Sequence, residues 1–149
     1  MRFNIALLLL MWACSDDLLA QEGYYLNPGI KFGHTFGENG GVTMGVEISY
    51  TKVGDGELYG ILASIDYCRE ARRVRYHVGG EYFAVALGPT LIVENGVVDW
   101  GINVTPCFGV VVIPYFNYTY RFKETNLFEV GGFLKLPIHV AGREFSIGH

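Results

Sequence analysis

Four histidines, three cysteines and a handful of hydroxyl residues are the side chains from which this chain could assemble a reactive centre. His34, His77, His139 and His149 are too scattered for a His-Glu-x-x-His pattern or any closely spaced ligand set, so no metal site is assigned. Ser64, His77 and Glu81 are of the residue types that make a Ser-His-carboxylate triad. Such a triple arises easily by chance, and triads are recognised by geometry rather than composition. Cys14, Cys68 and Cys107 fit no metal-ligand spacing; in an exported chain Cys68 and Cys107 could form a disulfide or remain thiols. Gly79-Gly80 and Gly131-Gly132 lack the strand-to-helix context of a phosphate loop and read as tight bends, bulges or close packing. Asn103-Val-Thr105 and Asn117-Tyr-Thr119 match glycosylation acceptors formally, but both fall inside expected strands. No catalytic, cofactor-binding or metal-binding residue is therefore assigned, no cofactor is called for, and an enzyme is not expected.

The elements that carry these residues are strands. Residues 42–51 alternate strictly: Val42, Met44, Val46, Ile48 and Tyr50 share one face, and Thr43, Gly45, Glu47, Ser49 and Thr51 the other. Tyr59, Ile61, Ala63, Ile65 and Tyr67 oppose Gly60, Leu62, Ser64, Asp66 and Cys68, and the Asp55-Gly56 pair between the two runs is a strong hairpin signal. Residues 24–36 alternate as well, although Pro28 suggests a strand end or bulge. Further runs are expected at residues 73–78, 82–93, 99–109, 110–121 and 127–138. The breaks fall at Gly79-Gly80, Glu94-Asn95-Gly96, Pro106 and Lys123–Asn126. Residues 67–75 leave room for one or two helical turns, and Arg69, Arg72, Arg73 and Arg75 read as a solvated turn. Val140–Ile147 reads as a short ninth strand or a disordered tail. The sum is about eight strands in hairpin order, which predicts an all-β, up-and-down antiparallel barrel.

The first twenty residues read as a targeting segment. Arg2 supplies a positive start, Ile5–Ala13 an apolar run of secretory length, and Leu18-Leu19-Ala20 a cleavage site before Gln21. Residues 21–149 then form a single barrel domain. Ala13-Cys14 also resembles the end of a lipobox, which Met11 and Trp12 fit poorly.

Alternation alone leaves open which face meets which solvent. Charged residues make up only 17% of the chain, while Gly, Tyr and Phe abound, and the less apolar faces carry Gly, Ser, Thr and Asn rather than Lys and Glu. Those faces suit the inside of a narrow barrel, where isolated charges such as Lys31, Glu47, Asp66, Glu81 and Arg121 would have to compensate one another. Tyr24, Phe36, Tyr50, Tyr59, Tyr67, Trp100, Tyr118 and Tyr120 fall near strand ends, where aromatic girdles would place them. With the export segment, the strands Val42–Tyr50 and Trp100–Val104 and the Gly-rich turns, residues 24–138 resemble the small eight-stranded outer-membrane barrels of Gram-negative bacteria, the class containing OmpA-like and OmpX-like proteins. No motif singles out one family, and the ending Phe145-Ser-Ile-Gly-His149 departs from the aromatic final residue common in that class.

The resemblance implies a bacterial outer-membrane location, outer-membrane lipids as partners and a structural or interaction role, with a lumen too narrow for a diffusion pore. Lipid-modifying enzymes also occur in the class, but none of their site patterns is visible. The competing reading is an exported soluble barrel, periplasmic or extracellular, holding a small apolar ligand against inward Val42, Met44, Val46 and Ile48. An unknown protein partner fits either. Nucleic acid does not, since the net charge is -4 and the basic residues form no stripe.

Overall fold

A computed structural model describes residues 23–37, 40–54, 57–106 and 112–140. The targeting segment, Cys14, Cys107, the turn residues 38–39 and 55–56, and the tail from 141 lie outside the described residues.

Strands β1 (Gly23–Phe36), β2 (Gly41–Gly54), β3 (Glu57–Cys68), β4 (Arg73–Tyr82), β5 (Val85–Glu94), β6 (Val97–Pro106), β7 (Val112–Arg121) and β8 (Leu127–Lys135) each pair antiparallel with the next, and β8 pairs with β1. The ring closes. A short β9 (Ile138–Val140) also pairs with β1, and its register is that of β8: Gly29 faces Lys135, and three residues further along both chains Leu26 faces Ile138. β9 is thus the continuation of the eighth stave beyond Pro137, and the ninth strand expected over Val140–Ile147 lies, from residue 141 on, outside the described residues. The ladder corrects the reading of Pro28, which lies inside β1 without a bulge and faces Ile48 in unbroken register. Its carbonyl accepts the Leu136 N–H at 3.0 Å. The N–H it lacks would point to the same neighbour, where the Leu136-Pro137 break already interrupts the ladder, so little is lost.

Following cross-strand partners once round the wall gives the stagger. Leu26 leads through Tyr50, Ile61, Gly80, Leu87, Val104, Tyr118 and Phe128 back to β1 at Phe36, ten residues further on. Eight strands with this stagger tilt by ~40° and set a backbone radius of ~8 Å, which side chains can fill.

Two other expectations fail around β4. Gly79-Gly80 makes no turn; both residues lie within the strand, and the chain reverses instead at Phe83-Ala84, where Phe83 has a φ of 55° and donates its N–H to the Leu58 carbonyl at 2.7 Å. A Cβ on Gly79 would stand 2.6 Å from the Leu87 carbonyl oxygen, so this glycine serves close approach of β4 to β5. Residues 67–75 form no helix: β3 runs to Cys68, and a tight turn at residues 69–72 leads into β4. The basic cluster divides there. Arg69 and Arg72 are exposed in the turn, whereas Arg73 and Arg75 point into the barrel and are buried. The Asn95-Gly96 turn forms as expected, with φ of 50° and 82° bracketed by the Glu94–Val97 pair. This end of the barrel is called the Asn95 end, and the other the Phe83 end.

Candidate functional site: a lumen of ion pairs

The wall is turned inside out relative to a water-soluble protein. Val46 and Ile48 are 59% and 49% exposed, while Glu47 between them is 7% exposed. The same parity holds on every stave, as the sequence alternation predicts. The face of Val42, Met44, Val46 and Ile48 is therefore exterior, which removes the lining that an apolar ligand would need.

Inside, the described residues bury six carboxylates and five Lys or Arg side chains, close to balance. They form three tiers. Nearest the Asn95 end, Arg121 bonds Glu94 at 2.7 Å and Asp99 at 3.0 Å, and Arg73 stands 3.8 Å from Glu94. In the middle, Arg75 spans Asp66 at 2.6 Å and Glu129 at 2.9 Å, and Lys31 joins the same two acids at 2.9 and 3.6 Å. Towards the Phe83 end, Lys135 meets Glu47 at 2.7 Å and Glu81 at 4.0 Å. The five lumenal charges named from sequence, Lys31, Glu47, Asp66, Glu81 and Arg121, are all buried in these pairs.

Arg73, Arg75, Glu94, Asp99, Glu129 and Lys135 were missed. A signal existed for some of them: Leu127, Glu129, Gly131, Phe133 and Lys135 share one parity on β8, and the same rule turns Arg73 and Arg75 inward from the face shared by His77 and Glu81. Nor is the lumen made only of small and polar groups. Ile113, Tyr115 and Phe133 form an apolar cluster between two tiers, with Lys31 Nζ 4.9 Å from the Tyr115 ring centre and Lys135 Nζ 5.1 Å from that of Phe133. Tyr115 donates its hydroxyl to Glu129 Oε1 and lies across Gly131 and Gly33, at either of which a Cβ would collide with the phenol oxygen. Bulk at one stave is thus accommodated by glycine at the next two.

The residues that looked chemical are placed as follows. Ser64 and His77 face each other across β3 and β4, both buried, but no hydrogen bond joins them, and neither His77 ring nitrogen has a hydrogen-bond partner. Glu81 turns to Lys135 instead. No triad is assembled. His34 is on the outer wall against Phe36, His139 packs edge-on to Tyr25, and His149 lies outside the described residues. Asn103, Thr105, Asn117 and Thr119 point into the lumen, where Thr105 bonds Asn103 at 2.8 Å and Arg75 reaches Thr119 at 3.4 Å. The two glycosylation matches are thereby shut inside the barrel. Cys68 is a buried free thiol at the Asn95 end. Cys107 lies outside the described residues.

Outside, aromatic side chains gather at both ends. Phe36 lies against Phe128, and Tyr120 against Phe122, towards the Asn95 end. Tyr24 stacks on Tyr50, and Tyr82 meets Phe83, towards the Phe83 end. Tyr59 and Tyr67, at the two ends of β3, stand ~20 Å apart along the barrel axis.

The chain is, then, a closed eight-stranded antiparallel barrel with an apolar exterior and a charged, packed interior. No protein-family profile and no curated protein matches it. A solved structure from "De novo design of transmembrane beta-barrels" aligns with 78% of this chain and 98% of its own, at 9% identity and a TM-score of 0.46. That likeness is loose, and the assignment of a closed barrel rests on the ladder itself.

Proposed function

We propose that this protein is a membrane-embedded barrel of the bacterial outer-membrane type, with a structural or interaction role and neither catalysis nor bulk diffusion as its task. The observation that carries the reading is the inverted wall: at Val46-Glu47-Ile48 the apolar side chains face out and the carboxylate faces in. In water such an exterior would be a large exposed apolar surface, of the kind monomeric soluble proteins avoid. In a bilayer it is the surface lipid requires, and closure leaves no unpaired edge in hydrocarbon. The paired aromatic zones support the same reading, since girdles flank an apolar band ~25 Å tall.

A lumen crossed by three tiers of ion pairs disfavours a diffusion pore, and the unassembled Ser64, His77 and Glu81 give no support to an enzyme. The task is left to the outer wall, to the short turns and to the barrel's own rigidity as an anchor.

Single-cysteine variants in a Cys-free background test the reading along one strand. A lipid-partitioned probe should label positions 44, 46 and 48 of bilayer-reconstituted protein and leave 45 and 47 unlabelled. Water-soluble reagent reaching 46 freely, or a mature chain that stays soluble without detergent and never enters membranes, would overturn it.

A further inference from the structure

The three tiers of the lumen do not balance alike. Arg121 and Arg73 answer Glu94 and Asp99, and Arg75 and Lys31 answer Asp66 and Glu129, two bases to two acids in each. Towards the Phe83 end, among the described residues, Lys135 answers two acids, Glu47 at 2.7 Å and Glu81 at 4.0 Å. Glu81 is 9% exposed, and its Oε2 has no hydrogen-bond partner. Four residues earlier on the same face of β4 stands His77, 3% exposed, with neither ring nitrogen bonded. Gly79 between them carries no side chain, and His77 Nε2 lies 2.7 Å from where its Cβ would stand, so the imidazole leans over the glycine towards Glu81. The charges around the pair are engaged elsewhere: Arg75 with Asp66 and Glu129, Lys31 with Asp66, and Lys135 with Glu47. Directly across from His77 and Glu81, β3 presents Ser64 and Gly60 and β5 presents Thr90 and Ala86, none of them charged.

We propose that Glu81 and His77 together bind one proton in the folded barrel, which makes the lumen neutral and its stability dependent on pH. Six buried acids against five Lys or Arg leave one negative charge inside, counted over the described residues. A buried charge without a counter-charge is neutralised by a proton rather than carried. The excess acid belongs to the Phe83-end tier, and His77 is the base beside it that is not already bonded. Among the described residues no three His, Cys, Asp or Glu side chains converge as a metal ion would require, so a proton is the cation that fits. The proton belongs to the pair, in which carboxyl and imidazole can serve as donor and acceptor in either sense. Above about pH 6.5 neither a free glutamate nor a free imidazole keeps its proton, so the unfolded chain has released it. The folded barrel still holds it, and stability therefore falls as pH rises, until the site empties.

The test is the pH dependence of reversible urea unfolding of the full chain in lipid vesicles, followed from about pH 6.5 to about pH 9. Relative to Glu81→Gln, wild type should lose up to about tenfold in its folding constant per pH unit, the slope of one proton. The comparison removes the other histidines and the thiols, which both chains share. His77→Gln should move the wild-type fall to lower pH, because the proton then has one base in place of two. Equal slopes in wild type and Glu81→Gln, or a profile that His77→Gln leaves unmoved, would overturn the proposal. If either variant does not fold, Glu47→Gln decides in its place: Lys135 then has Glu81 alone of the two acids to answer, and the wild-type slope should vanish. A slope retained in Glu47→Gln overturns the proposal. A chain that never enters vesicles defeats the membrane reading, and the same comparison made on it in water still decides the proton site.

Discussion

Arg75 and Asp66 face each other in the β3–β4 ladder, and two guanidinium nitrogens of Arg75, Nε at 2.9 Å and Nη2 at 2.6 Å, converge on the same carboxylate oxygen of Asp66. The same Nη2 bonds Glu129 of β8 at 2.9 Å, so one side chain ties neighbouring staves to a distant part of the wall. Buried charges are expensive to leave alone, and breaking such a set by removing one member costs ~3–5 kcal/mol. Arg75→Met should lower the stability of the folded barrel by about that amount, measured by reversible urea unfolding in lipid vesicles. The quadruple variant Arg75→Met/Lys31→Met/Asp66→Asn/Glu129→Gln, which leaves no unpaired charge in the middle tier, should recover a large part of the loss. Additive losses would show that the four residues do not form one network.

The glycines beside Tyr115 predict a steep positional contrast. A Cβ at Gly131 would lie 2.6 Å from the Tyr115 hydroxyl oxygen and 2.2 Å from the Phe32 carbonyl oxygen, whereas at Gly132 the nearest atom is 3.9 Å away. Gly131→Ala should destabilise by ~1–3 kcal/mol through overpacking, and Gly132→Ala should stay within ~0.5 kcal/mol of wild type. Equal effects in the same unfolding assay would mean that Tyr115 does not occupy the glycine slot.

Charge placed on the two faces of β2 should act oppositely in kind. Val46→Arg or Ile48→Arg would put a guanidinium into hydrocarbon, at ~2–4 kcal/mol near the bilayer midplane. The expected result is slower and less complete insertion into vesicles, read by the shift between folded and unfolded bands on unheated gels. Thr43→Arg enters a crowded lumen instead, where Thr43 bonds Thr35 at 2.8 Å, so its effect should depend on local space rather than on bilayer thickness. If thinner bilayers relieve Val46→Arg and Thr43→Arg alike, the two faces are not distinguished by lipid.

Planar bilayers give a fourth outcome. With Lys31, Arg75, Asp66 and Glu129 bonded across the middle tier, the monomer should show no stable conductance of uniform size. Reproducible large channels from the wild-type chain would remove the packed-lumen account.

Much of this molecule is written in its local pattern. Alternation with period two places Val42 to Tyr50 on one face and Thr43 to Thr51 on the other whatever the rest of the chain does, because successive side chains of a strand must point to opposite sides. Asn95-Gly96 makes a hairpin turn because both residues accept a positive φ. From those two rules came the strand order, the barrel class, the inward direction of Lys31, Glu47, Asp66 and Arg121, and the aromatic ends. Where local signals misled, a neighbouring strand had overridden them: Gly79-Gly80 stays extended because β5 passes close by, and Pro28 sits inside β1 because its partner is already broken at Pro137.

Only the closed wall determined who meets whom. The partners Lys31 and Glu129, Arg75 and Glu129, or Lys135 and Glu47 come from distant parts of the chain, and they are brought together by the ten-residue stagger, which is a property of eight strands registered in a ring. No local pattern encodes that stagger, since each hairpin contributes a part of it and closure adds the rest. Composition and parity therefore sufficed to say that charges would be inside and compensated. Which acid compensates which base was decided by the geometry of closure.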